Sequence, residues 1–168
     1  MSQTRRILLA VAIIVAIAAV VLGVDALRRG SPTTPSAAGE PTLVPGSIPV
    51  YLNGRLAGGF QPTDLERLEK VSFVEPAEGK TQDGWLLRDV LLLYVERRQL
   101  SPDAVITVSS SSRAKSAQVT WAQADDPDNW VMFDLSNRGT LKLVSVMEGL
   151  DAREQWVQDT DKIEVQTP

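Results

Sequence analysis

Residues 7–24 (ILLAVAIIVAIAAVVLGV) form an unbroken uncharged run behind Arg5 and Arg6, and nothing comparable follows it in the 168-residue chain. A segment apolar on every side must be surrounded by protein or sit in lipid, where a helix satisfies its own backbone hydrogen bonds. As a helix it would be about 27 Å long, close to the ~30 Å of bilayer hydrocarbon. The expectation is a short tail over 1–6 and a transmembrane helix over 7–27 that holds the rest of the chain at a membrane. A cleaved secretory signal is the alternative. Its apolar core is usually about 7–15 residues long and ends at a small-x-small site, whereas Val24 here meets Asp25, Ala26, Arg28 and Arg29. Arginines on both sides leave the charge rule nearly balanced. The signal-like placement then favours a single pass through the cell membrane with the C-terminal part extracytoplasmic.

Residues 28–47 read as a linker, since 30–47 (GSPTTPSAAGEPTLVPGS) contain four prolines and three glycines and almost no large apolar residue. Such a stretch cannot bury enough surface to offset its ordering entropy, so it should be extended and solvated. The remaining residues, 48–168, have room for one domain.

Cysteine and histidine are absent from the whole chain. Disulfides, thiolate nucleophiles, the usual zinc and haem ligands and the Ser-His-Asp relay are therefore excluded. Residues 48–168 hold 13 Lys plus Arg against 19 Asp plus Glu, a net charge of −6. An acidic domain with scattered cations is a poor match for nucleic acid.

Alternation over 48–53 and an Asn53-Gly54 turn predict a hairpin with 56–60. Thr63 and Glu66 form a capping-box pair ahead of a short helix, and 71–74 reads as a strand. From Trp85 to Leu100 the apolar residues Leu86, Leu87, Val90, Leu91 and Tyr94 fall at helical spacing, so the one main helix is expected there. Strands are expected over 105–109, 116–121, 130–135, 141–147 and 162–165, with a helical turn or loop over 122–129. Seven or eight short strands and one helix make a sheet-rich α+β domain.

Several of these pieces carry a resemblance. Gly84-Trp85-Leu86-Leu87-Arg88-Asp89-Val90-Leu91, then Pro102-Asp103-Ala104-Val105-Ile106-Thr107-Val108-Ser109, then Gly139-Thr140-Leu141-Lys142-Leu143-Val144 and Ile163-Glu164-Val165 follow one another in order. Together with 50–68 they resemble the oxidoreductase molybdopterin-binding domain of the sulfite oxidase family, over about 48–165. The resemblance implies a sulfite-oxidase-like fold. It also implies a molybdenum held by a cysteine thiolate and a pterin held by arginine and histidine, and this chain has neither cysteine nor histidine. What remains is a reduced relative that keeps the scaffold without that catalysis; no catalytic residue, metal ligand or cofactor is assigned.

The candidate ligand or partner surface is the basic serine-rich turn of Ser110, Ser111, Ser112, Arg113 and Lys115, with Trp121 and Trp156. Hydroxyls, backbone amides and two cations in one turn suit a phosphate or carboxylate, although serine is also a generic turn residue. Trp121 and Trp156 have polar neighbours, as expected of exposed anchors; Trp85 and Trp130 read as core. Ser112 and Lys115 also match Ser-x-x-Lys, an acylating pair whose companion motifs are missing. Asp125, Asp126 and Asp128 could share a hard cation, and Glu148, Asp151 and Glu154 a carboxylate pair, with charged loops as the simpler reading. The function expected is a membrane-anchored binding or accessory domain for a protein partner or small ligand, with no enzymatic activity. The alternative is a redox subunit that binds molybdopterin without a cysteine ligand.

Overall fold

The computed structural model describes residues 41–76 and 78–168, which belong to one compact unit. No helix among them is long and apolar enough to cross a membrane. The expected transmembrane helix lies outside the described residues, as does the first part of the expected linker.

The domain is sheet-rich, with nine strands in two sheets and only short helices. Strands β1 (Ile48–Leu52) and β2 (Arg55–Phe60) form the expected hairpin, with Asn53 and Gly54 both at positive φ in its turn. Strands β5 (Val105–Ser110) and β6 (Lys115–Thr120) form a second hairpin. Between the two hairpins runs β9 (Lys162–Gln166), parallel to β1 and antiparallel to β5, giving the order β2-β1-β9-β5-β6. The residue after β9 is tied to the β1–β2 turn, for Asn53 Nδ2 donates to Thr167 Oγ1 and Asn53 Oδ1 accepts from the Thr167 amide, both at 2.9 Å.

The second sheet is an antiparallel array of β3 (Val71–Val74), β4 (Thr81–Leu86), β7 (Met132–Leu135) and β8 (Leu141–Val144), in that order. Its Phe133 ring lies 6.4 Å from that of Phe60 in β2, within the continuous apolar core that both sheets share. Trp85, Leu141 and Leu143 from this sheet and Val50, Ile106, Ile163 and Val165 from the other are almost fully enclosed. Burial on this scale is the main favourable term in folding.

The expected main helix is not there. Trp85 and Leu86 belong to β4 and pair with Phe133 and Met132, and the α-helix α1 covers only Leu87–Leu91. Leu92 to Val95 continue as turns, and a capping box of Glu96 and Gln99 opens a 3₁₀ turn over Arg97–Gln99. A short apolar run has no unique period, and here the ladder with β7 claims its first two residues. The predicted capping pair is also displaced: the 3₁₀ turn Pro62–Arg67 is capped by Gln61 and Asp64 rather than Thr63 and Glu66. A second helix, α2 (Trp121–Asp125), is capped by Thr120, whose hydroxyl accepts from the Gln123 amide at 3.2 Å.

The end of the expected linker lies against the domain. Gln61 Nε2 donates to the Pro45 carbonyl at 3.2 Å, and the Leu43 side chain occupies the space where a Cβ on Gly59 would stand. Segment 41–47 thus lies along β2, a strand at the edge of its sheet, where covering a free edge discourages unwanted strand pairing.

Candidate functional site

Beside the second sheet lies a cleft of about 710 Å³, within the size range of small-ligand sites. Four cations line it, Lys70, Lys80, Lys142 and Arg153, against two carboxylates, Asp83 and Asp134. Ser136, Asn137 and Gln158 add polar groups, and Trp156 supplies an aromatic wall.

The sheet register builds the first half of the site. Asp134 of β7 pairs with Gly84 of β4 on one side and with Lys142 of β8 on the other. A Cβ on Gly84 would collide with the Phe133 carbonyl oxygen, so only glycine lets the strands approach this closely. Lys142 Nζ is consequently held 2.9 Å from Asp134 Oδ2 and 2.8 Å from Gln82 Oε1, while its side chain and that of Asp134 are only 17% and 15% exposed. An ammonium held by two partners is fixed in position, and its remaining N–H can donate to a ligand without first being ordered.

The second half comes from segment 145–161, which crosses from β8 to β9. Trp156 is anchored there by its indole N–H, which donates to the Leu150 carbonyl at 3.0 Å, and by the bridge between Val157 and Leu143. Lys142 and Arg153 both stand over its ring, 5.1 and 5.9 Å from the centroid, in cation–π range. Arg153 Nη1 also meets Glu78 Oε2 at 2.9 Å. The Lys80 ammonium at 2.7 Å and this guanidinium together hold the Glu78 carboxyl below its usual range, the hydrogen bond from Lys80 weighing most. Behind Arg153 lies Glu75, 1% exposed, facing Arg153 Nε at 3.8 Å and with neither carboxylate oxygen hydrogen-bonded among the described residues.

The residues singled out in the sequence do not converge on one cleft. Trp121 and Trp156, expected at the surface, are buried at 4% and 2% exposure. Their polar sequence neighbours point away while the rings enter the core, and cations cap the ring faces, Arg97 in the case of Trp121. Trp85 is core as expected, and Trp130 is half-buried, at a left-handed φ of 47° beside Phe73.

The basic serine turn does hold carboxylates, but they are the chain's own. The Ser111 amide donates to Asp161 Oδ2 at 2.8 Å and Arg113 Nε to Asp159 Oδ2 at 2.7 Å. Asp159 also accepts from Thr140 Oγ1 at 2.8 Å and Arg138 Nη2 at 2.9 Å. The Thr140 hydroxyl first and the Arg113 guanidinium next hold its carboxyl below the usual aspartate range. Ser110 is buried and its hydroxyl shares a 3.2 Å hydrogen bond with that of Ser112, while Lys115 Nζ donates to the Glu154 carbonyl. Ser112 and Lys115 are therefore each engaged elsewhere rather than with one another. Asp125 is paired with Arg97 and Asp126 caps the turn at Asp128, while Glu148, Asp151 and Glu154 are exposed. No three such side chains among the described residues are grouped to hold a metal ion.

Sequence reading missed the cleft itself. The available signal was a charge inside each of two apolar strands, Asp134 in MFDL and Lys142 in LKLV, with opposite signs. The sequence matches no protein-family model and no curated protein.

Proposed function

We propose that this chain is a membrane-anchored, extracytoplasmic binding domain whose cleft holds a small anionic ligand. The observation that carries the reading is the pair of fixed cations, Lys142 and Arg153, standing over the Trp156 wall of a polar cleft. Lys80, Lys142 and Arg153 are gathered at this cleft of an acidic domain, each beside a carboxylate of the chain, and their remaining N–H donors can meet an anion. The uncharged run over 7–24 is the basis for the anchor, and its signal-like position is the basis for the orientation.

On this reading the domain is a reduced relative of the sulfite-oxidase-like molybdopterin-binding fold, a kinship resting on the ordered sequence motifs. The cleft's donors are ammonium, guanidinium, amide, hydroxyl and carboxylate groups. With no thiolate in the chain, they do not fit a molybdenum held through sulfur, and no chemistry is derived through one. Binding and presentation to a neighbouring protein then account for the domain without a catalytic step of its own.

The test is extraction of the full-length chain from its membrane in mild detergent, followed by native mass spectrometry. The expected species retains residues 1–30 and carries a small anionic molecule, absent from the Arg153→Gln variant. A chain released by alkaline carbonate without detergent would overturn the anchor; a bare chain in both proteins would overturn the ligand.

A further inference from the structure

The composition of the cleft narrows the ligand class, an inference that rests on the binding reading above. Compact tetrahedral oxyanions such as phosphate are typically cradled by converging backbone amides at a helix N-terminus or glycine-rich loop. Neither α1 nor α2 contributes a lining residue to this cleft. Its positive groups are instead separate side chains, each fixed by its own partner: Lys142 by Asp134 and Gln82, and Arg153 by Glu78 with Glu75 behind it. Separate cations suit an anion whose charges are themselves separated along a short carbon chain, because each carboxylate then meets its own donor.

A wall carboxylate sharpens the choice. Asp134, on the same sheet face as Lys142, disfavours anionic charge placed directly against it, yet it accepts hydrogen bonds from hydroxyl groups, which suits an anion whose charges stand apart from a hydroxyl. Ser136 and Asn137, also on the wall, can donate to or accept from the same groups. We propose that the cleft binds a small hydroxylated di- or tricarboxylate, with Arg153 and Lys142 each taking a carboxylate and Asp134 taking a hydroxyl. Glu75 acts as a positioning residue. A buried carboxylate opposite a guanidinium is costly unless the pair is held together, so it keeps Arg153 turned toward the cleft.

The experiment is isothermal titration of the full-length chain in detergent micelles with citrate, tricarballylate, acetate and inorganic phosphate, at one ionic strength. Citrate is expected to bind one to one and at least tenfold tighter than acetate or phosphate. Tricarballylate, which lacks the hydroxyl, should bind severalfold more weakly than citrate. Arg153→Gln should weaken citrate at least tenfold, and Lys70→Gln, an exposed lysine whose ammonium stands over the Trp85 ring, severalfold. Glu75→Gln should lower citrate affinity, whereas a purely structural Glu75 would change the melting temperature and leave affinity intact. Phosphate binding as tightly as citrate and lost in Arg153→Gln would overturn the carboxylate class while leaving the binding reading in place. Citrate affinity unchanged in both Arg153→Gln and Lys70→Gln would overturn this site, and no binding of any of the four anions would overturn the proposal outright.

Discussion

Gly84 and Asp159 show how much single residues set here. Gly84 has no room for a Cβ because the Phe133 carbonyl faces it directly, and the backbone on both sides is locked in a ladder. Gly84→Ala should therefore cost about 3 kcal/mol, the upper range for overpacking a closed site, read as a fall in the urea midpoint. Asp159 joins the β5–β6 turn, through Arg113, to the turn before β8, through Thr140 and Arg138. Because its folded pKa is depressed, its stabilisation is present above the ordinary aspartate value and is lost as pH falls through the folded value. Asp159→Asn should melt well below the parent at neutral pH, and the gap should close in strong acid; a constant gap would contradict this assignment. Sequence reading found the donors of this network in Ser111 and Arg113 but not their partners, which lie 46 and more residues away. The same blindness put Trp121 and Trp156 at the surface, since polar sequence neighbours do not reveal which way a ring turns.

Elements were more legible where periodicity and turn chemistry agreed. The β1–β2 hairpin, with its Asn-Gly turn, and strands β3, β5, β8 and β9 stand close to where alternation placed them. The run from Trp85 to Leu100 was misread because strand β4 hands directly over to α1, leaving apolar residues continuous across the junction. Strand β4 itself was invisible, as Thr81, Gln82, Asp83 and Gly84 carry little apolar pattern and owe their pairing to the strands beside them. The linker reading was compositional and overlooked a single leucine. Leu43 settles over Gly59, so the 41–47 segment should exchange its amide hydrogens more slowly than a free chain. Leu43→Ala should raise that exchange severalfold while the β1–β2 core stays protected; unchanged exchange would mean the segment is not held by this contact.

At the scale of the whole molecule, the run of short strand patterns with few helical ones points to the class, a sheet-rich α+β domain, but not to how the two sheets divide the strands. Placing β9 between β1 and β5 joins residues at opposite ends of the domain, and such long-range pairing is set by tertiary packing rather than local pattern. The cleft depends on the same assembly, drawing on the β3–β4 region, the β7–β8 ladder and the segment leading into β9. That is why its cations, scattered along the sequence, read there as ordinary surface charge. The central claim is that this assembled cleft, rather than the serine-rich turn, is where the protein meets its ligand. Amide chemical-shift mapping of the full-length chain in micelles during a citrate titration tests it most directly. The account predicts saturable shifts concentrated at Gln82, Asp134 to Asn137, Lys142 and Arg153 to Gln158, with the indole N–H of Trp156 among them; shifts confined to Ser110 through Lys115, or spread evenly over the surface, would contradict it.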